Sequence, residues 1–317
     1  MKELKVLFVG IGSIAKRHIR NLYSIVGDRG MCVTVDVFRH TPSTSLLAGI
    51  SKEYTEFSHV PDDYDVIFIT NPTARHLDTL KLFHNKGKNF FIEKPIISLN
   101  QLDEVKQFEL RQDCIYYVAC PLRYNAVIQY IKNHISVNDV ISVRSISSSY
   151  LPDWRPEQDY RQTYSAHKNM GGGVSIDLIH EWDYLIYLFG WPNSIKSFMG
   201  KRSGLEIDSD DYAIYIAEYT DKIVELHLDY FGRKTIREVE LFTENDTIIG
   251  DIANNRIKFL CNGKEIDFHE ERDAYQKREM IHFMKLIEGT EQTEDEFMQG
   301  IRILTLTQGV CDELEWR

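Results

Sequence analysis

Residues 4–15, LKVLFVGIGSIA, constrain the fold more than any other stretch. Leu4, Val6, Leu7, Phe8 and Val9 form a short apolar run. Gly10-Ile11-Gly12-Ser13-Ile14-Ala15 follows at once, and residues 16–25 read as a helix. Strand, glycine turn and helix in that order are the setting in which G-x-G-x-x-G/A binds a dinucleotide. Gly10 permits the tight turn, Gly12 lets the backbone approach a pyrophosphate, and Ala15 is small enough for the helix to lie close on the strand. The helix N-terminus then offers unpaired N–H groups and a positive dipole end to the phosphates. Gly10, Gly12, Ser13, Ile14 and Ala15 are therefore the expected cofactor contacts. An ordinary strand-turn-helix without a ligand is the alternative that the motif alone leaves open.

The length of 317 residues predicts two domains. A net charge of −11 argues against a nucleic-acid or anionic-membrane partner. No apolar run approaches the roughly 20 residues needed to span a bilayer, and the chain enters its first strand without room for a signal peptide. The expected location is cytoplasmic. The cysteines at 32, 114, 120, 261 and 311 are scattered with no C-x-x-C, so neither a zinc site nor a disulfide framework is indicated and no metal is expected.

Residues 31–38 read as a second strand, with Val33, Val35 and Val37 apolar. The tip of this strand selects the cofactor: an acid binds the ribose 2′-OH of NAD, whereas an arginine accommodates the 2′-phosphate of NADP. Asp36 lies about two residues too early. Arg39, helped by His40 and Ser43, leans the reading to NADP over NAD; a plain surface arginine is the alternative. Residues 64–70, YDVIFIT, are nearly continuous and apolar, as a parallel strand buried on both faces requires. Asn71, Pro72, Thr73 and His76 then fall at a strand's carboxyl end, where open α/β sheets bind ligands. His76 reads either as a nicotinamide contact or as an exposed residue of the following helix, 75–85. After a short strand at 89–92 comes Glu93-Lys94-Pro95. Pro95 biases Lys94 away from the helical region. Partial burial would lower the lysine's pKa and suit it to hold a proton for a carbonyl or hydroxyl oxygen. A helix over 98–109 and a strand over 115–119 close the unit.

Together, Gly10-x-Gly12-x-x-Ala15 with His18 nearby, Asn71-Pro72-Thr73-x-x-His76, and Gly87-Lys88 leading to Glu93-Lys94-Pro95 resemble the glucose–fructose oxidoreductase / inositol dehydrogenase (Gfo/Idh/MocA) family. The resemblance implies that Lys94 is the catalytic lysine and that NAD or NADP lies across the strand ends, near Glu93 and Lys94. Its fold would be a Rossmann domain over 1–121 followed by an α+β domain over 122–317 with a mostly antiparallel open sheet. That sheet would pair with another subunit, giving a dimer or tetramer, and a last helix over 297–315 would pack back on the first domain.

The second half opens with Arg123-Tyr124-Asn125, ahead of a helix to about residue 134; similar enzymes carry an arginine-aromatic pair at this junction, which is expected at the edge of the cleft. A strand over 140–150 follows. Residues 150–168, YLPDWRPEQDYRQTYSAHK, are polar, aromatic and irregular. Such a segment suits a functional loop, and Trp154, Arg155, Asp159, Tyr160, Arg161 and Tyr164 offer stacking surface and hydrogen-bond forks for a sugar. An oligomer contact or a packed surface loop fits equally. Gly171-Gly172-Gly173 precedes a helix read over 175–189. There Asp177, His180, Glu181 and Tyr184 share one arc, so that Asp177 would neighbour His180. A carboxylate beside a histidine can orient the ring and hold its proton; the alternative is the solvated face of an amphipathic helix. The resemblance favours a site, matching Asp177, His180 and Asp183 in type. The family's usual spacing puts the histidine four residues after the aspartate; here it is three, and Glu181 takes the fourth place. Seven strands follow, at 194–202, 211–220, 223–230, 235–243, 246–251, 256–260 and 265–268, with a helix over 274–288 before the last one.

These readings predict NAD(P)-dependent oxidation or reduction of a sugar-like hydroxyl or ketone, including nucleotide-sugars and amino-sugars. Lys94 and His180 would manage the hydroxyl proton, and Asp177 would orient the histidine. An NAD-dependent glycoside hydrolase of the same fold and a non-catalytic cofactor-sensing protein are the alternative classes.

Overall fold

The computed structural model describes residues 3–42, 48–292 and 295–311. The chain divides into two units, one running to Ala119 and resuming over Gln276–Ile301, the other spanning Cys120–Tyr275 and the chain from 302 onward. Among the described residues they hold sheets of six and eight strands.

The first unit contains β1 (Glu3–Val9), α1 (Ser13–Asp28), β2 (Cys32–Phe38), β3 (Lys52–Tyr54), β4 (Val66–Ile69), α2 (His76–Phe83), β5 (Phe90–Ile92), α3 (Leu102–Val105) and β6 (Tyr116–Val118). All strand pairs are parallel, in the order β3-β2-β1-β4-β5-β6. This is the doubly wound Rossmann order, and it reverses between β1 and β4. Val6, Phe8, Phe68 and Phe91 lie on the sheet face covered by α1, through Ala15, Leu22 and Val26, and by the returning helix through Met280 and Phe283. The stack of Phe8 on Phe68, with centroids 4.3 Å apart, sits at its centre. The strands expected from apolar runs are present. The helix expected over 98–109 is shorter, a 3₁₀ turn at Leu99–Gln101 followed by α3. β3, too short and polar to show a period, was not expected.

The second unit contains α4 (Ala126–His134), β7 (Val140–Tyr150), α5 (Val174–Asp177), α6 (Ile179–Phe189), β8 (Ser194–Gly200), β9 (Tyr212–Glu218), β10 (Ile223–Asp229), β11 (Phe231–Thr243), β12 (Thr247–Asp251), β13 (Arg256–Phe259) and β14 (Glu265–Asp267). Its sheet runs β14-β13-β12-β11-β7-β10-β9-β8, antiparallel except for β7 with β10. One face packs under the helices: Trp182 of α6 meets Tyr215 of β9 edge-on, and Tyr184 bonds Ser145 of β7. The opposite face leaves Phe198, Ile216 and Ile223 exposed.

α7 (Ala274–Ile287) and α8 (Glu296–Leu306) follow. The start of α8 packs on the first unit, with Gly300 against Val118 and Ile96, and Phe297 against Tyr116. Of the helix expected over 297–315, the described part ends at Leu306, and residues 312–315 lie outside the described residues. Between 150 and 170 the chain makes four 3₁₀ turns rather than an open loop.

Candidate functional site

In the first unit the site is built at the point where strand order reverses. Gly10 ends β1 with φ +92°, and a Cβ there would stand 2.7 Å from the Cα of Asn71, which follows β4. Only glycine fits both restrictions. Gly12 differs: its φ of −72° suits any residue, and a Cβ there would meet nothing within 4 Å. Gly12 therefore keeps open space before the N-terminus of α1, a helix with no side-chain cap and no acid in its first turn. Ser13 is exposed and Ile14 half-buried beside that space, while Ala15 is fully buried against the sheet. Asn71 donates from Nδ2 to Thr79 at 2.7 Å, and its Oδ1 is buried with no hydrogen-bond partner among the described residues. Open helix N–H groups and an unsatisfied buried amide oxygen fit a dinucleotide along this edge. Pro72 is exposed and Thr73 half-buried in the turn that leads to α2.

His76 is no exposed helix residue. It is 1% exposed, with Nδ1 2.9 Å from Pro95 O and Nε2 2.9 Å from Asn71 O. Burial pushes its imidazole below the ordinary value, against the pull of the two carbonyl oxygens. The ring ties the Asn71 turn to the Glu93-Lys94-Pro95 segment, so its part is to place backbone. The Glu93 amide donates to Ile69 O at 3.0 Å, keeping this segment beside the end of β4. Glu93 Oε1 lies 2.5 Å from Nε2 of the buried His18. Burial alone would raise the Glu93 carboxyl, but His18, Lys94 and His76 outweigh it and hold the group below the usual range. Lys94 follows, half-buried, with a cis peptide bond to Pro95.

The second-strand tip alters the cofactor argument. Arg39 stands at the end of β2 as expected, but its Nη2 lies 2.6 Å from Glu53 Oε2 on β3. Its guanidinium is therefore engaged by an acid, which weighs against the NADP expectation. Asp36 is buried and accepts from Tyr64 at 2.7 Å. His40 is exposed beside Phe38, and Ser43 lies outside the described residues.

In the second unit the expected helix over 175–189 breaks at Leu178, with φ −98° and ψ 22°. Asp177 thus ends α5 and His180 belongs to α6, so the single-helix-face argument pairing them does not hold. Asp177 Oδ2 accepts from the Tyr230 hydroxyl at 2.5 Å, and its charge pushes the Tyr164 phenol up. The arc read as a solvated alternative is buried: Asp177 is 3% exposed, Glu181 and Tyr184 not at all. His180 Nε2 lies 2.9 Å from Arg237 Nη2 and 3.4 Å from Glu181 Oε1. Arg237 Nε is 2.8 Å from the same Glu181 oxygen. Burial would raise the Glu181 carboxyl, but the charge of Arg237 holds it low.

Several expected substrate residues are committed elsewhere. Arg123 grips Asp183 through Nε, at 3.1 and 2.9 Å, and through Nη2 at 2.6 Å, both side chains nearly buried. It braces α6 against the 3₁₀ turn Pro121–Tyr124, where Tyr124 is half-buried. Arg161 forks onto Asp159 and reaches Glu206 on the surface. Trp154 donates to Ser149 at 2.8 Å and meets the Tyr230 ring edge-on. Leu151, Trp154, Arg155 and Tyr160 line a shallow hollow with Thr163 and Ser165. The Tyr160 hydroxyl accepts from the Glu206 amide, and Arg155 lies over the Tyr164 ring at 5.7 Å. Sequence reasoning missed Glu53, Tyr230 and Arg237. Only Arg237 left a signal: it shares its strand face with the buried Val239 and Leu241, and a charge on an apolar face needs a partner.

Among the described residues no helix is long and apolar enough to cross a membrane, and no cluster of His, Cys, Asp and Glu is arranged to hold a metal ion. Residues 4–120 match the oxidoreductase family with an NAD-binding Rossmann fold, and residues 128–249 match the GFO/IDH/MocA C-terminal domain. The chain is 24% identical over 194 residues to the uncharacterized oxidoreductase YrbE of Bacillus subtilis (strain 168), and 23% identical over 193 residues to that organism's scyllo-inositol 2-dehydrogenase (NAD+). Each match covers about 60% of this chain and 54% of the relative, so the chain spans about half the length of these relatives. The fold is shared with levoglucosan dehydrogenase in complex with NADH and levoglucosan, at TM-score 0.82 and 15% identity over 97% of this chain and 96% of that one. It is shared also with UDP-N-acetylglucosamine 3-dehydrogenase GnnA from Acidithiobacillus ferrooxidans, at TM-score 0.76 and 16% identity over 98% and 97%. With both domain models matched in order over most of its length, the chain belongs to the Gfo/Idh/MocA oxidoreductase family.

Proposed function

We propose that the chain is a nicotinamide-dependent dehydrogenase that interconverts a hydroxyl and a ketone on a sugar-like substrate. The observation that carries this reading is the open helix N-terminus behind Gly12, set beside Asn71 where the strand order reverses. Gly10, Gly12, Ser13, Ile14 and Ala15 would hold the pyrophosphate, and Asn71, Pro72, Thr73 and Glu93 the nicotinamide half. When bound, the nicotinamide supplies the hydride acceptor or donor. Lys94 holds the proton that the hydroxyl loses on oxidation and returns it on reduction. His180 contacts the reacting oxygen, and Asp177 supports α5 through Tyr230. Trp154, Arg155 and Tyr160 offer the substrate aromatic surface and a cation.

The cofactor preference turns on Glu53. A 2′-phosphate has to compete with this carboxylate for Arg39, whereas a 2′-hydroxyl does not. NAD(H) is therefore proposed ahead of NADP(H). The sugar dehydrogenases named above support a carbohydrate substrate, and a cytoplasmic location goes with it. The open face bearing Phe198, Ile216 and Ile223 supports a dimer or tetramer formed through this sheet.

Nicotinamide fluorescence during titration with NADH and NADPH tests the reading, followed by a panel of sugars and nucleotide-sugars. Binding of NADH with Lys94→Met losing at least about 100-fold in turnover, dinucleotide affinity intact, is the expected result. Binding of neither dinucleotide overturns it.

A further inference from the structure

Arg237 reaches His180 from β11, 57 residues along the chain. Its Nη2 is 2.9 Å from His180 Nε2, its Nε is 2.8 Å from Glu181 Oε1, and the Ser147 hydroxyl lies 3.4 Å from Nε. A guanidinium only donates and cannot give up its charge in a protein. The nitrogen that it faces must therefore accept, and the ring's proton belongs on Nδ1. We infer that Arg237 is a positioning residue that keeps His180 neutral, as the Nδ1–H tautomer, and withholds Nε2 from an incoming proton. This deepens the dehydrogenase reading and rests on it for its catalytic meaning: His180 shapes and polarises the site, and the hydroxyl proton goes to Lys94.

The surrounding charges decide whether the ring can escape. On its own helix Glu181 favours an imidazolium from 3.4 Å, but that oxygen is closer to Arg237. Tyr184, also on α6, bonds the Ser145 hydroxyl of β7 at 2.6 Å. On α5 Asp177 accepts from Tyr230. From β11 the arginine opposes any second ring proton twice, by charge and by occupying the lone pair that would take it. Without the arginine, Glu181 keeps its negative charge beside a ring whose Nε2 is open, and the imidazole is pulled toward protonation.

The test is two-bond ¹H–¹⁵N correlation of the imidazole nitrogens in the full chain, with His180 assigned by the signal lost in His180→Gln. In the wild-type chain the expected result is the Nδ1–H pattern with no titration between pH about 5.5 and 8, although a free imidazole titrates near about 6.5. Arg237→Leu is expected to titrate with a midpoint above about 6.5. Arg237→Gln, which can still donate to Nε2, is expected to keep the Nδ1–H tautomer. In turnover, kcat/KM of Arg237→Leu should gain an acid limb that the wild type lacks.

An Nε2–H pattern in the wild type, or a His180 midpoint above about 5.5, overturns the inference. The wild-type spectrum decides even if Arg237→Leu does not fold. It is recorded without dinucleotide or substrate, so failure of nicotinamide binding would overturn the dehydrogenase reading alone.

Discussion

Each unit sets a glutamate next to a residue proposed to do chemistry, half-buried Glu93 in the first and buried Glu181 in the second, and the two are anchored differently. Glu93 precedes Lys94 and meets His18 of α1 at 2.5 Å. Glu181 follows His180 and meets Arg237 of β11 at 2.8 Å. Both carboxyls are held below their usual range although burial pushes the other way. Glu93 leans on His18 with help from Lys94 and His76, so several groups share the work. Glu181 leans first on one arginine, whose charge is permanent. The first arrangement ties the glycine-turn helix to the lysine segment and tolerates a lost partner. The second concentrates the anchor in a single side chain, which also caps His180.

Removing Arg237 should therefore give the largest effect. Arg237→Leu leaves Glu181 buried and unpaired but for His180, and breaking such a pair costs about 3–5 kcal/mol. The loss should approach about 3 kcal/mol at pH 8 and be smaller at pH 6, where His180 can take a proton and replace the missing cation. Urea unfolding followed by tryptophan fluorescence reports it, since Trp154, Trp182 and Trp191 all lie in the second unit. Adding Glu181→Gln should restore at least half. A single-variant loss under about 0.5 kcal/mol would mean that the ion pair does not anchor α6. His18→Ala should cost less, about 1–3 kcal/mol, because Lys94 and His76 still face Glu93. Faster amide exchange confined to β5 and α1 would locate that loss; equal losses in the two variants would erase the contrast.

The contrast also explains what the sequence discloses. The Rossmann order, the glycine turn and most strands follow from local patterns: an apolar run buried on both faces, a motif at fixed offsets, a period of two. The second unit's site is assembled from partners 53 to 60 residues apart: Asp177 with Tyr230, His180 with Arg237, Arg123 with Asp183. No spacing rule links them. Arg123 and Arg161 read as substrate forks because an arginine's residue type is visible and its partner is not. The same blindness made Arg39 look available, since Glu53 sits on a three-residue strand with no period to betray it. At Leu178, counting at about 100° per residue assumed one helix where the chain forms two.

Two glycines sharpen the comparison inside the first unit. Gly10→Ala brings a Cβ to 2.7 Å from Asn71 at a φ of +92°, and should cost about 1–3 kcal/mol of stability. Gly12→Ala adds a methyl group to open space at an ordinary φ, so stability should stay within about 0.5 kcal/mol. Its cost should fall instead on the dinucleotide, with affinity for NADH lower by about tenfold, or roughly 1.4 kcal/mol. Thermal unfolding and NADH titration on the two variants separate the effects. An unchanged affinity in Gly12→Ala would remove the pyrophosphate from this turn.

In acid the two anchors should obey one rule, and the effect is the smallest per variant. A glutamate in the unfolded chain titrates near about 4.3. Folded Glu93 and Glu181 titrate lower, so between the two values the unfolded state binds more protons and stability rises with pH. Their contribution is complete above about 4.3 and is lost as pH falls through the folded values. Each group adds at most about 1.4 kcal/mol per pH unit to that slope. Glu93→Gln and Glu181→Gln should each flatten the acid limb of a stability–pH curve by less than this while lowering the plateau at neutral pH. The plateau should fall further for Glu181→Gln, which leaves the Arg237 cation without the carboxylate it faces, than for Glu93→Gln, whose amide can still meet His18. Acid limbs parallel to the wild type would show that neither carboxyl is held down by its partner, and the anchoring contrast would then rest on packing alone.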